Sequence, residues 1–129
     1  MRKILIVAGS PRKGGNTAAL TAVVADAARS AGAEVVILDA AHMKIAPCVS
    51  CYSCQRSDKW ECVVKDDMKT VYPMIPQTDV LVMATPVFWF GPTAQLKCFV
   101  DRLFACAKFD KETEELTTSF KDDARLATI

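Results

Sequence analysis

The sequence has no marked excess of charge of either sign and no apolar run long enough to cross a membrane. Sixteen Lys and Arg residues against fifteen Asp and Glu residues leave a net charge of +1, which gives no reason to expect a nucleic-acid or membrane-surface partner. A spanning helix needs about 20 apolar residues. The first apolar run, residues 4–8, passes into a glycine loop and is atypical of a signal peptide. We therefore expect a cytoplasmic protein with no nucleic-acid and no membrane partner.

Histidine is nearly absent, and two familiar phosphate-binding motifs are missing. His42 is the only histidine, and because the sequence offers it no evident partner we assign it no role. The Walker loop needs Lys followed by Ser or Thr after Gly14, where this chain has Gly15 and Asn16. The dinucleotide fingerprint fails at Pro11, where it needs a glycine. No side chain is a convincing acid, base or nucleophile, so we predict no catalytic residue.

Residues 3–17 organise the prediction for the rest of the chain. The apolar run Ile4–Ala8 is typical of a buried strand in the middle of a parallel sheet. A helical pattern begins after Thr17, so the intervening loop joins the carboxyl end of a strand to a helix start. Open α/β sheets bind ligands there, and the free N–H groups of a helix start favour anions. An ordinary turn capped by Asn16 is the alternative. The predicted phosphate-binding residues are Ser10, Arg12, Lys13, Asn16 and Thr17.

Strands and helices alternate along the sequence, which predicts a doubly wound α/β fold. Apolar runs at residues 35–38 and 80–84 predict a second and a third buried strand, and residues 124–129 the start of a fourth. No repeat, low-complexity tract or linker interrupts the chain, so we expect a single domain over residues 1–129. Short helices are expected over residues 66–75 and after the third strand. The first helix is expected to face the sheet with Leu20, Val23, Val24, Ala27, Ala28 and Ala31.

Four of the six cysteines lie in an aperiodic loop at about residues 46–63. Cys48, Cys51 and Cys54 stand at every third position and Cys62 follows later. Such spacing can surround a compact metal cluster, and in a reducing compartment it favours metal binding or redox chemistry over disulfides. Zinc held by four thiolates and plain thiols are the alternatives. We expect the remaining two cysteines, Cys98 and Cys106, to be packing residues.

Three consecutive aromatic residues, Phe88, Trp89 and Phe90, follow the third strand. Three adjacent rings cannot all enter one core, so at least one should be exposed and able to stack on a flat ring system. Packing against a helix or another subunit is the alternative. If strands one and three are neighbours, these rings lie beside the phosphate loop. Together the two loops suggest a phosphorylated planar cofactor, and flavin mononucleotide (FMN) fits.

Several motifs in order resemble the NADPH-dependent FMN reductase family, and most strongly its iron-sulfur flavoprotein branch. They are Gly9–Thr17, Cys62–Met68, Thr85–Trp89, Ala94–Lys97 and Asp101-Arg102. The resemblance implies a flavodoxin-like fold with strand order 2-1-3-4-5. It also implies that the loop at residues 10–17 holds the FMN phosphate. The residues implied to border the ribityl chain and the isoalloxazine ring are Pro86, Val87, Phe88, Trp89 and Phe90, with Gly91 ending the same loop.

The same resemblance implies a four-iron, four-sulfur cluster on the four loop cysteines. Because the family chain normally continues further, we expect the sheet to be cut short after the start of strand four, with an exposed edge. The function implied is an FMN-dependent oxidoreductase that moves electrons from NAD(P)H or a ferredoxin to an acceptor, and we expect a homo-oligomer. A non-enzymatic, flavodoxin-like electron carrier and a cofactor-free domain acting by association are the alternatives.

Overall fold

Apolar, β-branched runs build a parallel sheet in the computed structural model, which describes residues 1–129. Each run is short and ends at a polar or glycine residue, as expected for strands in an α/β sheet. The strands are β1 (Lys3–Ala8), β2 (Glu34–Asp39), β3 (Val80–Ala84), β4 (Ala107–Phe109), β5 (Leu116–Thr118) and β6 (Arg125–Thr128). Four of them form one parallel sheet in the order β2-β1-β3-β6, and β4 pairs with β5 in a separate antiparallel hairpin.

The order of the parallel strands confirms the predicted flavodoxin-like arrangement. β1 lies in the centre, with Ala8 opposite Asp39 of β2 on one side and Ala84 of β3 on the other. β6 takes the place of the expected fourth strand, because Leu81 and Leu126 stand opposite each other in register. The carboxyl ends of β1, β2 and β3 therefore share one edge of the sheet.

Three α-helices and three 3-10 turns connect the strands. The helices are α1 (Asn16–Ser30), α2 (Met68–Val71) and α3 (Ala94–Arg102), and the turns are Ser53–Gln55, Tyr72–Gln77 and Leu103–Cys106. The helix predicted over residues 66–75 is thus one α-helical turn followed by a 3-10 turn, because Pro73 and Pro76 lack the N–H that an α-helix needs. None of the helices has the length and apolarity that a membrane crossing requires.

The predicted inward face of α1 is right at Val24 and Ala28, which are half-buried, and wrong at its other positions. Leu20 and Val23 are 47% and 65% exposed, whereas Thr21 and Ala25 are buried. The small side chain of Ala25 allows a close approach and packs with Ile6 in a minor core, which Val24 also contacts. The larger core lies on the opposite face of the sheet.

The second strand is also less buried than predicted. β2 is an edge strand, and its Val36 and Ile37 are 38% and 41% exposed.

The charged region that follows α3 had no predicted structure. It forms the β4–β5 hairpin, in which Ala107 pairs with Thr118 and Phe109 with Leu116.

A buried threonine joins the central strand to α3. The Thr93 hydroxyl donates to the Gly9 carbonyl oxygen at 2.6 Å and accepts the Leu96 N–H at 3.1 Å, which caps the helix. The Gly9 N–H in turn donates to the Ala84 carbonyl at 2.8 Å. A Cβ at position 9 would lie 2.6 Å from the Leu96 Cβ, so glycine is required at this crossing.

We expect Thr93→Val to lower the free energy of unfolding by about 1–2 kcal/mol, because it removes a helix cap and leaves the Gly9 carbonyl unpaired. Urea denaturation followed by circular dichroism measures the change. Thr70→Val is the matched control, since its hydroxyl is exposed and bonds only the Asp67 carbonyl. Equal stabilities of the two variants would contradict the role given to Thr93.

Candidate cofactor-binding site

The two predicted ligand loops meet at the carboxyl edge of the sheet. β1 and β3 are direct neighbours, so the loop at residues 9–15 and the loop at residues 85–93 leave the sheet side by side. The hydrogen bonds that join Gly9 to Ala84 and to Thr93 fix their separation. The structure therefore brings together the two segments that the sequence analysis assigned to one cofactor.

The first loop ends in a helix start whose backbone donors are free. Gly15 is the N-cap of α1 and contributes no side-chain cap. The N–H groups of Asn16, Thr17 and Ala18 donate to no backbone or side-chain acceptor. Free donors at the positive end of a helix dipole suit an anion such as a phosphate.

The predicted phosphate-binding side chains surround this helix start. Arg12 and Lys13 are exposed, and the Arg12 N–H donates to the Ser10 hydroxyl oxygen at 3.3 Å. Asn16 is exposed at the first position of α1, and Thr17 is half-buried. All five residues thus lie within eight consecutive positions, 10–17, at one end of the helix.

The second loop carries a tight turn that the sequence did not predict. The Phe88 N–H donates to the Gly91 carbonyl at 2.8 Å, and the Gly91 N–H returns a bond of 3.1 Å to Phe88. The turn residues Trp89 and Phe90 have φ angles of 45° and 66°. Asn-Gly is the usual pair in a turn with two positive φ angles, and a bulky residue there costs about 1–3 kcal/mol.

This turn holds two aromatic rings in solvent. Trp89 and Phe90 are each 93% exposed, with their ring centroids 5.7 Å apart, and Phe88 is 48% exposed. Val87 is exposed and Pro86 half-buried in the same loop. Backbone strain that presents apolar rings to water is typical of a binding surface. The predicted exposure of at least one ring is confirmed.

The four loop cysteines do not converge. Cys48 and Cys51 are exposed, Cys54 is buried and Cys62 is half-buried. No three His, Cys, Asp or Glu side chains form a set that could hold a metal ion. All six cysteines are free thiols. As arranged, the loop cysteines do not fit a four-iron cluster or a four-thiolate zinc site.

The pKa values of two cysteine thiols are shifted in opposite directions. Hydrogen bonds from the side chain and the backbone of Ser53 lower the pKa of Cys51. Burial raises the pKa of Cys106 to about 11, and the neighbouring Cys54 adds to the effect. Cys106 therefore stays protonated at neutral pH and packs in the core, whereas Cys51 is the more reactive thiol.

A buried ion pair joins the two ends of the cysteine segment, residues 46–64. The Arg102 side chain is fully buried, and its guanidinium donates to both Asp66 carboxylate oxygens at 2.5 and 3.1 Å. The same guanidinium donates to the Ala46 carbonyl at 2.9 Å and to the Val64 carbonyl at 3.4 Å. Asp66 also accepts the Ala46 N–H at 2.9 Å. Residues 46 and 64, which flank the cysteines, are thereby held together.

Lys108 holds the middle of the same segment. Its Nζ donates to the carbonyls of Cys54 at 2.7 Å and Lys59 at 2.8 Å, and also to that of Ser57. The ammonium group lies 5.2 Å from the centre of the Trp60 ring. The sequence analysis did not predict that Arg102 and Lys108 hold the cysteine segment. The only signal was the Asp101-Arg102 pair within the family motif, which carried no stated role.

The environment of Asp66 sets the charge of this ion pair. Burial alone would raise the pKa of Asp66, but the hydrogen bonds from Arg102, the Ala46 N–H and the Met68 N–H outweigh it and hold the pKa below its usual range. Asp66 is thus ionised at neutral pH. A carboxyl whose pKa is depressed by folding stabilises the fold above its unfolded pKa, and that stabilisation is lost as the pH falls through the folded value.

Comparison with known proteins identifies the family. Residues 2–118 match the sequence model of the NADPH-dependent FMN reductases. The chain belongs to the NADPH-dependent FMN reductase family. An iron-sulfur flavoprotein of Archaeoglobus fulgidus is 34% identical over 101 residues, which cover 78% of this chain and 45% of that protein. One of Methanosarcina thermophila is 34% identical over 100 residues, covering 78% and 51% of the two chains.

Solved structures show the same fold for this family member. An NAD(P)H:quinone oxidoreductase of Methanothermobacter marburgensis superposes with a TM-score of 0.74 at 19% identity, covering 98% of this chain and 64% of that one. The flavodoxin-like prediction is therefore confirmed. The chain spans about half the length of the curated relatives it matches.

We expect Asp66→Asn to lower the free energy of unfolding at pH 7 by about 3–5 kcal/mol, because it leaves the buried Arg102 charge without its counter-ion. The difference from the wild type should begin to shrink below about pH 4, near the pKa of an aspartate in the unfolded chain, and should vanish only below the lower pKa of Asp66 in the fold. Urea denaturation at a series of pH values measures both effects.

The control for this prediction is Asp101→Asn, which removes the 2.5 Å contact with Lys97 on the surface of α3. An exposed pair of this kind contributes at most about 1 kcal/mol. A loss of stability for Asp66→Asn no larger than that of the control, or one that is constant with pH, would contradict the assignment.

Proposed function

We propose that this protein is an FMN-dependent oxidoreductase that takes electrons from NAD(P)H or a ferredoxin and transfers them to an acceptor. The observation that carries the proposal is the pairing of a helix start with three free N–H groups and a strained turn with two exposed rings across β1 and β3. The match to the FMN reductase family supports the same conclusion.

The residues of the two loops fit an FMN molecule. The phosphate would lie at the start of α1, where Asn16, Thr17 and the free N–H groups donate to it and Arg12 and Lys13 neutralise its charge. Ser10 would bond a phosphate oxygen from the preceding turn. The ribityl chain and the ring would lie along the second loop, against Pro86, Val87, Phe88, Trp89, Phe90 and Gly91.

When bound, FMN supplies hydride and single-electron chemistry. The protein binds the phosphate through N–H and cationic donors and offers Trp89 and Phe90 as an apolar surface for a flat ring. No acidic or basic side chain is assigned to a proton transfer. The chain's contribution is therefore binding and orientation of the cofactor.

A flavodoxin-like electron carrier is the main alternative. Steady-state oxidation of NAD(P)H with added FMN and a quinone or dye acceptor distinguishes the two, since a carrier does not turn over alone. Turnover above that of free FMN supports the enzyme. If the protein binds FMN but neither a nicotinamide donor nor a reduced ferredoxin supports turnover, the protein is the electron carrier. A protein that fails to bind FMN at all would be the cofactor-free alternative.

We also propose that the protein is cytoplasmic and forms homo-oligomers. Six free cysteines suit a reducing compartment. β6 lies at an edge of the sheet, where its backbone groups can pair with another strand, and its Leu126 is 65% exposed. Sedimentation velocity that shows only a monomer at micromolar concentrations would contradict the oligomer.

We expect the double variant Asn16→Ala, Thr17→Ala to weaken FMN binding by roughly tenfold or more, because hydrogen bonds to a charged group contribute about 1.5–3 kcal/mol each. Quenching of flavin fluorescence during a titration measures the dissociation constant. Thr113→Ala, in the exposed connection between β4 and β5, is the control. An unchanged affinity in the double variant would remove the phosphate site from residues 16 and 17.

An iron-sulfur cluster on Cys48, Cys51, Cys54 and Cys62 is a separate proposal. Its support is the cysteine spacing and the similarity to the iron-sulfur flavoproteins of Archaeoglobus fulgidus and Methanosarcina thermophila, whereas the structure keeps these thiols apart. We expect anaerobically purified protein to contain iron and acid-labile sulfide, and Cys51→Ser to lose both while keeping FMN. Cys98→Ser is the matched control. Equal iron in the two variants, or zinc in place of iron, would reject the cluster.

A further inference from the structure

The cysteine segment contains two exposed thiols that are set apart from the other two. Cys54 belongs to the larger core, and Cys62 is half-buried against the same core. Lys108 also holds the Cys54 carbonyl at 2.7 Å. Cys48 and Cys51 are both exposed, and only two residues separate them. A Cys-x-x-Cys spacing of this kind is typical of redox-active dithiols.

The backbone around the exposed thiols is strained. Ser50 and Tyr52, on either side of Cys51, have φ angles of 57° and 56°, in the left-handed region that residues other than glycine seldom occupy. The Ser50 N–H donates to the Cys48 sulfur at 3.4 Å, and the Arg56 guanidinium donates to the Cys51 carbonyl at 3.1 Å. Strain of this kind is concentrated at functional sites. Here it accompanies the presentation of both thiols to solvent.

An open cavity lies beside the first thiol of the pair. Small-molecule sites span about 300–1,000 Å³, and this cavity has a volume of about 450 Å³. Tyr52 and Phe104 line it with their rings in edge-to-face contact, 5.8 Å between centroids, and they are 54% and 45% exposed. Val100 and Leu103 add apolar surface, and Cys48 is part of the same lining. A small molecule bound there would lie against the Cys48 thiol.

The lining favours a ligand that is apolar and carries a group with which a thiol reacts. Asp101 is the only charged residue of the lining, and Lys97 neutralises its carboxylate at 2.5 Å. The half-exposed rings offer a surface for another flat group. Exposed thiolates react with disulfides by attack on one of the two sulfurs. The cavity therefore suits a small disulfide with apolar or aromatic substituents.

We propose that Cys48 and Cys51 form a dithiol that exchanges with a small disulfide bound in this cavity. The Cys48 thiolate attacks one sulfur of the ligand, forms a mixed disulfide and releases the other half as a thiolate. The Cys51 thiolate then attacks the Cys48 sulfur, forms the Cys48–Cys51 bond and releases the second half. Two electrons pass from the pair to the ligand, and the two released thiolates take up the two protons. An excess of the free thiol reverses both steps.

The exchange is separate from the proposed flavin chemistry and competes with the proposed cluster. It uses neither FMN nor a nicotinamide donor, so it goes beyond the proposed electron transfer. An iron-sulfur cluster would need the same two thiolates, so only one of the two proposals holds. The exchange is supported by the arrangement of this structure, in which Cys54 lies in the core while Cys48 and Cys51 lie at the surface.

The test is the reaction of the reduced protein, purified without oxygen, with a limiting amount of the aromatic disulfide dithiodipyridine. Absorbance measures the released thiopyridone, and mass spectrometry of peptides locates the products. The wild type should release both halves of every disulfide consumed, keep no adduct, and yield a peptide in which Cys48 is linked to Cys51. Cys51→Ser should stop at a mixed disulfide on Cys48 and release one half only. Cys98→Ser is the matched control and should behave like the wild type.

Three results would overturn the proposal. A wild type that keeps the adduct would show that the second thiol does not complete the exchange. Adducts that form at equal rates on every exposed cysteine would remove the role of the cavity. Iron that is bound by the wild type and lost from Cys51→Ser would assign the thiols to a cluster instead.

A pair of phenylalanine variants tests the cavity itself. Phe104→Ala should slow the exchange with dithiodipyridine roughly fivefold, because it removes one aromatic contact with the ligand. Phe109→Ala is the matched control, since Phe109 is 58% exposed on β4 and lies outside the cavity lining. A Phe104→Ala variant that reacts as fast as this control would place the ligand elsewhere and contradict the site.

Discussion

A positive charge buried beneath the cysteine segment is the constraint on which one half of the molecule depends. The Arg102 guanidinium has no access to water and is neutralised only by Asp66. Its two terminal nitrogens also donate to carbonyls on both sides of the segment, those of Ala46 and Val64. Since an unpaired charge is far more costly to bury than a paired one, the segment cannot leave α3 without exposing or isolating this charge. A long aperiodic loop is thereby given a defined course.

The other half depends on the position of β1. A central parallel strand has a neighbour on each side, so the loop after it lies between the ends of two other strands. Towards β3 it meets the exposed turn of Trp89 and Phe90, and towards β2 it meets Asp39 and His42. The helix start that follows β1 therefore lies between an exposed aromatic turn and a polar pair at the end of β2.

The sequence predicted the strands of the parallel sheet and the two ligand loops well, because these depend on local apolar runs and on turn residues. The strand order followed only from the family resemblance. The prediction failed where close packing or contacts between distant residues determine which side chains are buried and paired. α1 buries Thr21 rather than Leu20 because small side chains allow closer contact with the sheet. The turn between Phe88 and Gly91 has Trp89 and Phe90 at its two central positions, where glycine or asparagine normally predicts such a turn. The partners of Arg102 lie 36 or more positions away, beyond any local pattern.

The central place of β1 also affects when the sheet can form. The Lys3 N–H donates to the Asp79 carboxylate across 76 positions of sequence, at 2.6 Å. β1 and β2 can pair early, since only α1 separates them, but β3 must wait for the whole cysteine segment to be synthesised. Pairings between distant segments slow folding because the loop entropy is lost before the contacts form. A nascent chain would therefore expose the open edge of β1 during synthesis, and the cysteine segment sets how long that exposure lasts.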